Sequence, residues 1–268
     1  MSQFNPKEYW EERLSKNYDI SGVGYLPLGK AFNNWMYRVR KNVFNYHIKK
    51  LSIQKQNSSV LDIGSGTGFY IQLLEEYGIE QIMGVDLTET ATKGLKEKFP
   101  KHHFEQADIS KPNKTFKQAP FDLVTCFDVL FHIVDDENFQ SALKNISNAI
   151  KEDGYFIFSD NFADVQETAT HHVSRTATHI RESLKKVGLE VIDYAPTFVL
   201  LNSPAATKNK LFKFYWKVLH NVLFLLNRIK LGFIGGIVGA ILYPFEILLV
   251  RSLKNGPSTK IVVCQKLI

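Results

Sequence analysis

The feature of this sequence that most constrains its fold is a short apolar run that leads into a glycine-rich turn. Residues 60–63 read Val-Leu-Asp-Ile, the next five read Gly-Ser-Gly-Thr-Gly, and helix-compatible residues follow. Glycine adopts backbone angles that other residues resist and lets a ligand approach the main chain. A helix that begins there offers free N–H groups and partial positive charge. This order of strand, turn and helix predicts an α/β fold with a site for a nucleotide-like ligand.

Acidic residues follow the next predicted strands at their carboxyl ends. Apolar runs predict strands at 81–85, 102–107 and 121–127, and Asp86, Asp108 and Asp128 come directly after them. Ligands of open α/β sheets bind outside the carboxyl ends of the strands, so these carboxylates are expected beside the glycine-rich turn. Each is also a residue type that begins turns or caps helices, and that structural interpretation stays open.

The motifs in this order resemble those of the class I S-adenosylmethionine-dependent methyltransferases. Dinucleotide sites favour G-x-G-x-x-G, whereas this turn reads G-x-G-x-G after Asp62, and GVDLTE, QADI and FDLVTCFDVLFHI follow it. The resemblance covers about residues 58–159 and implies a Rossmann-like seven-stranded sheet whose last strand is antiparallel, with helices on both faces. It also implies S-adenosyl-L-methionine as the cofactor and, because no recognition domain is attached, a small-molecule acceptor.

The resemblance also implies which residues bind the cofactor. They are Asp62, Gly64, Ser65, Gly66, Gly68, Asp86, Leu87, Asp108, Ile109 and Phe127. The three glycines would line the methionine part, and Asp62 would hold its amino group directly or through water. Asp86 would bind the ribose, and Asp108 with Ile109 would frame the adenine. Phe127 would lie beside the sulfonium.

Four residues are candidates for catalysis: Asp128, His132, His171 and Arg175. An oxygen acceptor must lose a proton, and His132, one turn beyond the fourth strand, is the first candidate for the base. It could equally serve only to hydrogen-bond a loop. Arg175 could hold an anionic group through its planar fork, or be an ordinary exposed arginine. The histidines and acids match no zinc spacing, so no metal is expected.

A basic, hydrophobic insertion separates the last two predicted strands, which are expected at Leu189–Leu201 and Lys260–Leu267. Ala205–Lys260 contains nine lysines and arginines and one acid, Glu246, which gives this segment a charge of +8. The net charge of the whole chain is +6, so the remaining residues together carry −2. Residues 211–226 predict a helix with a basic stripe, which suits a membrane interface. Residues 231–245 are uncharged but short of the roughly 20 needed to span, and Pro244 and Glu246 are expected to interrupt them. The alternatives are a lid over a greasy pocket or a dimer contact.

The sequence predicts four regions: an N-terminal helical cap (1–50), the methyltransferase core (51–204), the insertion (205–255) and the last core strand (256–268). The nearly neutral core argues against nucleic acid as a partner. Two cysteines suit a reducing compartment, and the first residues show no secretory pattern. The expected location is therefore cytoplasmic, with the insertion at the inner face of the membrane; the oligomeric state is left open.

These observations favour methyl transfer to a hydrophobic or lipid-linked small molecule, at oxygen, under a roof formed by the N-terminal helices and the insertion. A second interpretation is C-methylation of an isoprenoid or quinone-like carbon, for which Trp35 and Tyr37 would matter more than a histidine base. A third is a non-catalytic, cofactor-binding subunit attached to a membrane.

Overall fold

A sheet of seven strands organises the computed structural model, which describes residues 5–112, 120–169 and 171–267. A second, small sheet pairs Glu167–Thr168 with Val173–Ser174. The strands of the seven-stranded sheet are β1 (Ser59–Ile63), β2 (Gln81–Asp86), β3 (His103–Gln106), β4 (Phe121–Cys126), β5 (Ile150–Asp160), β6 (Leu189–Pro196) and β7 (Lys260–Lys266). Their order across the sheet is β3-β2-β1-β4-β5-β7-β6, and β7 runs antiparallel to both of its neighbours. The predicted Rossmann-like sheet with an antiparallel last strand is confirmed.

Helices cover both faces of this sheet. They are α1 (Pro6–Lys16), α2 (Ile20–Val23), α3 (Gly29–Ile48), α4 (Phe69–Tyr77), α5 (Glu89–Lys98), α6 (Asp136–Ala149), α7 (Ala177–Lys186), α8 (Lys210–Arg228) and α9 (Phe233–Ser252). Side chains alternate along the strands, so Val60 packs in the core under α3 and α4 while Leu61 packs under α6 and α7. Strands buried on both faces explain the continuous apolar runs in the sequence.

Hydrogen bonds hold the N-terminal helices over the carboxyl ends of the first strands. The Glu11 carboxylate accepts hydrogen bonds from the backbone N–H groups of Glu89 and Thr90, at 2.8 and 3.0 Å, at the start of α5. Arg13 donates to the carbonyl of Gly22 at 2.6 Å and also to that of Gly24. A carboxylate at a helix N-terminus is favourable because the free N–H groups and the helix dipole both attract it. These contacts make α1 a fixed roof over the sheet edge.

Two predictions about the C-terminal part are wrong. The sixth strand, expected over 189–201, ends at Pro196, because the backbone N–H groups of Val199 and Leu200 donate to Glu246 instead of a neighbouring strand. Helix α9 runs unbroken through Pro244 and Glu246. Pro244 is exposed, so water can satisfy the carbonyl that loses its helical donor, and the Glu246 carboxylate is satisfied inside the protein.

Candidate active site

A cavity of about 420 Å³ opens at the carboxyl ends of β1, β2 and β4, beneath the N-terminal helices. Its wall contains ten of the residues predicted from sequence: Gly64, Ser65, Gly66, Asp86, Leu87, Asp108, Ile109, Phe127, Asp128 and His132. Pro6, Trp10 and Leu14 of α1 close it from above, as expected for an N-terminal cap. None of the described residues of the insertion lines this cavity, so the expectation that the insertion helps to roof it is wrong.

The turn after β1 requires glycine at its first position. Gly64 has φ +72°, and a Cβ there would overlap the side chain of Val129 on the cavity wall. The next glycine, Gly66, donates its N–H to Oδ2 of Asp86 at 2.9 Å, which ties the turn to the end of β2. The turn is therefore a bare backbone cradle whose position is fixed by the neighbouring strand.

Asp86 is held rigidly at the end of β2. Its Oδ1 accepts hydrogen bonds from the N–H and the hydroxyl of Thr88, at 2.9 and 2.7 Å, in addition to the bond from Gly66. A carboxylate has about four lone-pair sites, so about one remains for a ligand hydroxyl while these three donors stay in place. Burial raises the pKa of Asp86, although the three hydrogen bonds oppose it.

Asp108 and Ile109 form the next part of the wall, after β3. Oδ1 of Asp108 accepts from the N–H and hydroxyl of Ser110, at 2.9 and 2.6 Å. No hydrogen bond from the described residues is made to its Oδ2, which is left to accept from a ligand amine. Ile109 is buried and offers an apolar surface beside this carboxylate. The pair has the chemistry that an adenine ring requires.

Two predicted binding residues lie behind the turn and not on the cavity wall. Asp62 accepts a hydrogen bond from the Thr125 hydroxyl at 2.6 Å across β1 and β4, and burial raises its pKa to about 7. Gly68 begins α4 with φ +80° and faces Phe99 of the neighbouring segment. Asp62 and Gly68 thus shape the turn from behind, and the predictions that Asp62 holds the amino group directly or through water and that Gly68 lines the methionine part stay predictions.

Asp128 forms an ion pair at the base of the cavity. Its Oδ2 lies 2.6 Å from Nη1 of Arg40, whose side chain on α3 is only 11% exposed. The Ser159 hydroxyl donates to its Oδ1 at 3.0 Å and accepts from its backbone N–H at 2.7 Å, and this holds Asp128 at φ +58°. Nothing in the sequence singles out Arg40, because its place on α3 differs from those of Arg38 and Lys41 only in how the helix packs.

Two tyrosines accompany this ion pair. Tyr37 and Tyr70 line the cavity, and Tyr70 stacks on Phe127 with ring centroids 3.8 Å apart. Burial raises the pKa of Tyr37 to about 12 and also raises that of Tyr70. Both hydroxyls are therefore neutral at physiological pH and can act only as hydrogen-bond donors or acceptors. Nothing in the sequence separates Tyr70 from an ordinary helix residue.

His132 lies on the wall in a short 3-10 turn, Leu130–His132. Its Nδ1 is 2.7 Å from the carbonyl oxygen of His171, which can only accept, so we assign the proton to Nδ1 and leave Nε2 as an acceptor. Burial lowers the pKa of His132 to about 4, so the ring is neutral at physiological pH. The edge of Trp10 packs against it, with ring centroids 5.1 Å apart.

The other two catalytic candidates are not on the wall. The imidazole of His171 is exposed, and its contribution is the carbonyl that orients His132. Arg175 is fully buried; it donates to Asp136 at 2.9 Å and to the carbonyl of Ile133 at 2.8 Å. The prediction that Arg175 binds an anionic substrate group is wrong, as is the exposed alternative, because the guanidinium fixes the loop after β4.

The chain is similar in sequence to known methyltransferases. Residues 61–158 match the methyltransferase domain family. Ribosomal protein L11 methyltransferase of Staphylococcus saprophyticus is 29% identical over 128 residues, which are 47% of this chain and 39% of that protein. The chain thus spans about two fifths of the length of this curated relative.

Solved structures share the fold over almost the whole chain. Magnesium protoporphyrin IX methyltransferase of Synechocystis PCC 6803, crystallised with S-adenosylmethionine, has a TM-score of 0.58 and 12% identity and covers 99% of both chains. A S-adenosylmethionine-dependent methyltransferase of Clostridium acetobutylicum has a TM-score of 0.54 and 15% identity, over 87% of this chain and 92% of that one. At these identities the likeness shows the fold alone.

The residues on the wall fit S-adenosylmethionine, the cofactor of this family. Gly64 lets the turn lie against Val129 of the wall, Asp86 retains room for a ribose hydroxyl, and Oδ2 of Asp108 accepts no hydrogen bond from the described residues and lies beside Ile109. Among the described residues, no group of histidines, cysteines and acids is placed to hold a metal ion. By its motifs and the match over residues 61–158, this part of the chain is a methyltransferase domain, and the fold around it is that of S-adenosylmethionine-dependent methyltransferases.

Proposed function

We propose that this protein transfers a methyl group from S-adenosylmethionine to an oxygen atom of a hydrophobic small molecule. The cofactor, when bound, supplies the electrophilic methyl group. The observation that carries the proposal is the tautomer of His132: its Nδ1 proton is committed to the His171 carbonyl, which leaves Nε2 able to take a proton from an acceptor hydroxyl.

The surrounding residues hold the reactants and exclude water. The Arg40–Asp128 pair fixes the base of the cavity, so the wall near His132 does not have to reorganise during the reaction. Trp10, Leu14 and Phe127 make the wall apolar where the acceptor would enter. An apolar wall favours a hydrophobic acceptor, and the neutral His132 can remain inside it without a counter-ion.

The named acceptors of similar proteins do not identify this one. One relative is named for ribosomal protein L11 and one structural neighbour for magnesium protoporphyrin IX, so the shared fold serves acceptors of different chemistry. The L11 methyltransferase matches through less than half of its own length. The substrate class is therefore proposed from the cavity of this chain.

C-methylation is the second candidate, and the aromatic wall supports it. The faces of Tyr70 and Phe127 can stabilise positive charge that develops on a carbon acceptor. Tyr37 lies on the wall as this alternative requires, but Trp35 packs on the far side of α3, 5.3 Å from the ring of Tyr243. The proposed part for Trp35 is therefore wrong, and Tyr37 and Tyr70 would take its place.

The test is His132→Gln, assayed with radiolabelled methyl donor and fractionated cell lipid and polar extracts. We expect turnover to fall about 10²–10⁴-fold, because a positioned base contributes a factor of this size. Calorimetry should give the same cofactor Kd as in the unmodified protein. His103→Gln, which removes an exposed histidine outside the cavity, is the matched control.

Other outcomes of the His132→Gln assay would each support a different candidate function. Unchanged turnover in His132→Gln would remove the base and favour C-methylation, in which case Tyr37→Phe and Tyr70→Phe should lower turnover. Cofactor binding without turnover on any extract would support the non-catalytic, cofactor-binding subunit.

A further inference from the structure

Helix α9 exposes a continuous apolar side. It is the helix among those described that is long and apolar enough to cross a membrane, by length and composition alone, and only 22% of that apolar window is buried. Large apolar residues, each more than half exposed, recur every three or four positions along one side: Phe233, Ile237, Ile241, Phe245 and Leu248. Contiguous apolar patches of this kind mark an interaction site.

Helix α8 has the same character with a basic border. Its exposed apolar side is formed by Leu211, Phe214, Val218, Val222 and Leu225. Its exposed cations are Lys210, Lys213, Lys217 and Arg228, most of them one position before an apolar residue and thus on the neighbouring strip of the helix surface. Long basic side chains beside an apolar strip suit a helix that lies at a bilayer surface, because their stems lie along the acyl region while the charges reach the headgroups.

A cationic groove lies where α3 meets the C-terminal part of α9. It has a volume of about 420 Å³, and its lining contains no acid: Arg38, Lys41, Asn42, Asn45, Tyr46, Lys49, Tyr243 and Arg251. Lys41 also pairs with Glu76 at 2.6 Å, and Arg251 donates to Asn42 at 3.1 Å. Four cations gathered beside an exposed apolar helix match a phosphate group at the end of an apolar chain.

The opposite side of α9 packs on α3 and is hydrogen-bonded to the segment after β6. A Cβ on Gly239 would overlap the Trp35 ring, so glycine lets the helix approach α3 closely. The fully buried Glu246 accepts hydrogen bonds from the backbone N–H groups of Val199 and Leu200. A bilayer-spanning position would break these hydrogen bonds and uncover the α3 surface. These contacts therefore favour a helix that lies in the plane of the bilayer surface.

We propose that α8 and α9 dock this protein on a bilayer that contains anionic phospholipid, with their apolar sides in the interface and the groove at Arg38 and Arg251 on headgroup phosphate. Charge complementarity selects this occupant: the exposed apolar sides are bordered by lysine and arginine, and Glu246, the one acid of the insertion, is buried away from them. The docking surface does not include the cofactor cavity, so this proposal stands or falls independently of the proposed methyl transfer.

The experiment measures co-sedimentation of the full chain with phosphatidylcholine vesicles, with and without phosphatidylglycerol, in the absence of methyl donor. We expect binding that is strongest with phosphatidylglycerol and weakens as salt screens the charges. Ile237→Ser with Phe245→Ser should weaken partition to both vesicles by at least about tenfold, because buried apolar area is lost. Lys49→Gln with Arg251→Gln should weaken binding to the anionic vesicles by about tenfold or more and weaken binding to phosphatidylcholine less, because the phosphate of phosphatidylcholine is neutralised by its own choline group.

Matched controls carry the same changes elsewhere. Val165→Ser with Ile192→Ser removes two exposed apolar side chains, and Lys185→Gln with Lys186→Gln removes two exposed charges, all outside the docking surface. Cofactor calorimetry on every variant verifies that the fold is intact. Absence of vesicle binding would overturn the proposal, and light scattering that shows a dimer lost in Ile237→Ser with Phe245→Ser would assign the surface to a second copy. Protein that resists an alkaline wash of the vesicles would instead indicate a spanning helix.

Discussion

The two sides of α3 meet environments that differ in kind. On one side, Tyr37 lines the cavity and Arg40 pairs with Asp128 of its wall; there, apolar groups are covered by α1, and Asp86 also has partners within the chain. On the other side, α9 packs on Trp35 and leaves its own outer surface apolar and uncovered. The cavity is complete within the polypeptide, whereas the α8–α9 surface is completed only by something outside it.

Buried Glu246 attaches α9 to the segment after β6, and its removal is expected to have the largest effect on the α9 side of the protein. Glu246→Ala leaves two or more buried N–H groups without an acceptor, so we expect the free energy of unfolding to fall by about 3–5 kcal/mol. Urea denaturation measures this loss, and Glu190→Ala, an exposed acid on β6, is the control. If the two regions are separable, the cofactor Kd of the folded protein should change by no more than about twofold.

Asp86→Ala changes the cofactor cavity and leaves the α8–α9 surface as it is. Loss of a charged hydrogen bond to the ribose should raise the cofactor Kd about 10–100-fold in calorimetry, while vesicle binding stays unchanged. Asp122→Ala is a matched control, because Asp122 also accepts a strand N–H, that of Ser59 at 2.7 Å, and lies outside the cavity. An equal rise in Kd for both variants would show a general loss of fold and would contradict a ligand-binding part for Asp86.

The lowered pKa of His132 predicts a pH dependence of stability. The pKa of His132 is about 4 in the folded protein and about 6.5 in the unfolded chain. Between pH 4 and pH 6.5, His132 is therefore protonated in the unfolded chain and neutral in the folded protein. As the pH falls from about 6.5 to 4, the unmodified protein should lose about 2–3 kcal/mol relative to His132→Gln. Denaturant midpoints across this range measure the difference, and parallel curves for the two proteins would show that His132 titrates normally.

Much of the cofactor half of the cavity follows from sequence because its signals are local. A turn that needs glycine, and acids placed directly after buried strands, must meet at one edge of a parallel sheet whatever else the chain does. Asp62 and Gly68 belong to the same motif but lie behind the wall, since side chains alternate along a strand and Gly68 packs against Phe99 at the end of α5. That orientation depends on the register of β1 against β4 and on the packing of α5.

The partners of charged and small residues were decided by the tertiary structure. Arg40 and Arg175 look alike in sequence to exposed arginines, yet one pairs with Asp128 and the other with Asp136, residues 88 and 39 positions away along the chain. The glycines of α9 permit close contact with any helix, and the fold supplies α3. Local patterns therefore determined the strands, the turn and the apolar character of the insertion, while the pairing of buried charges and the choice of which apolar side stays exposed required the whole chain to pack.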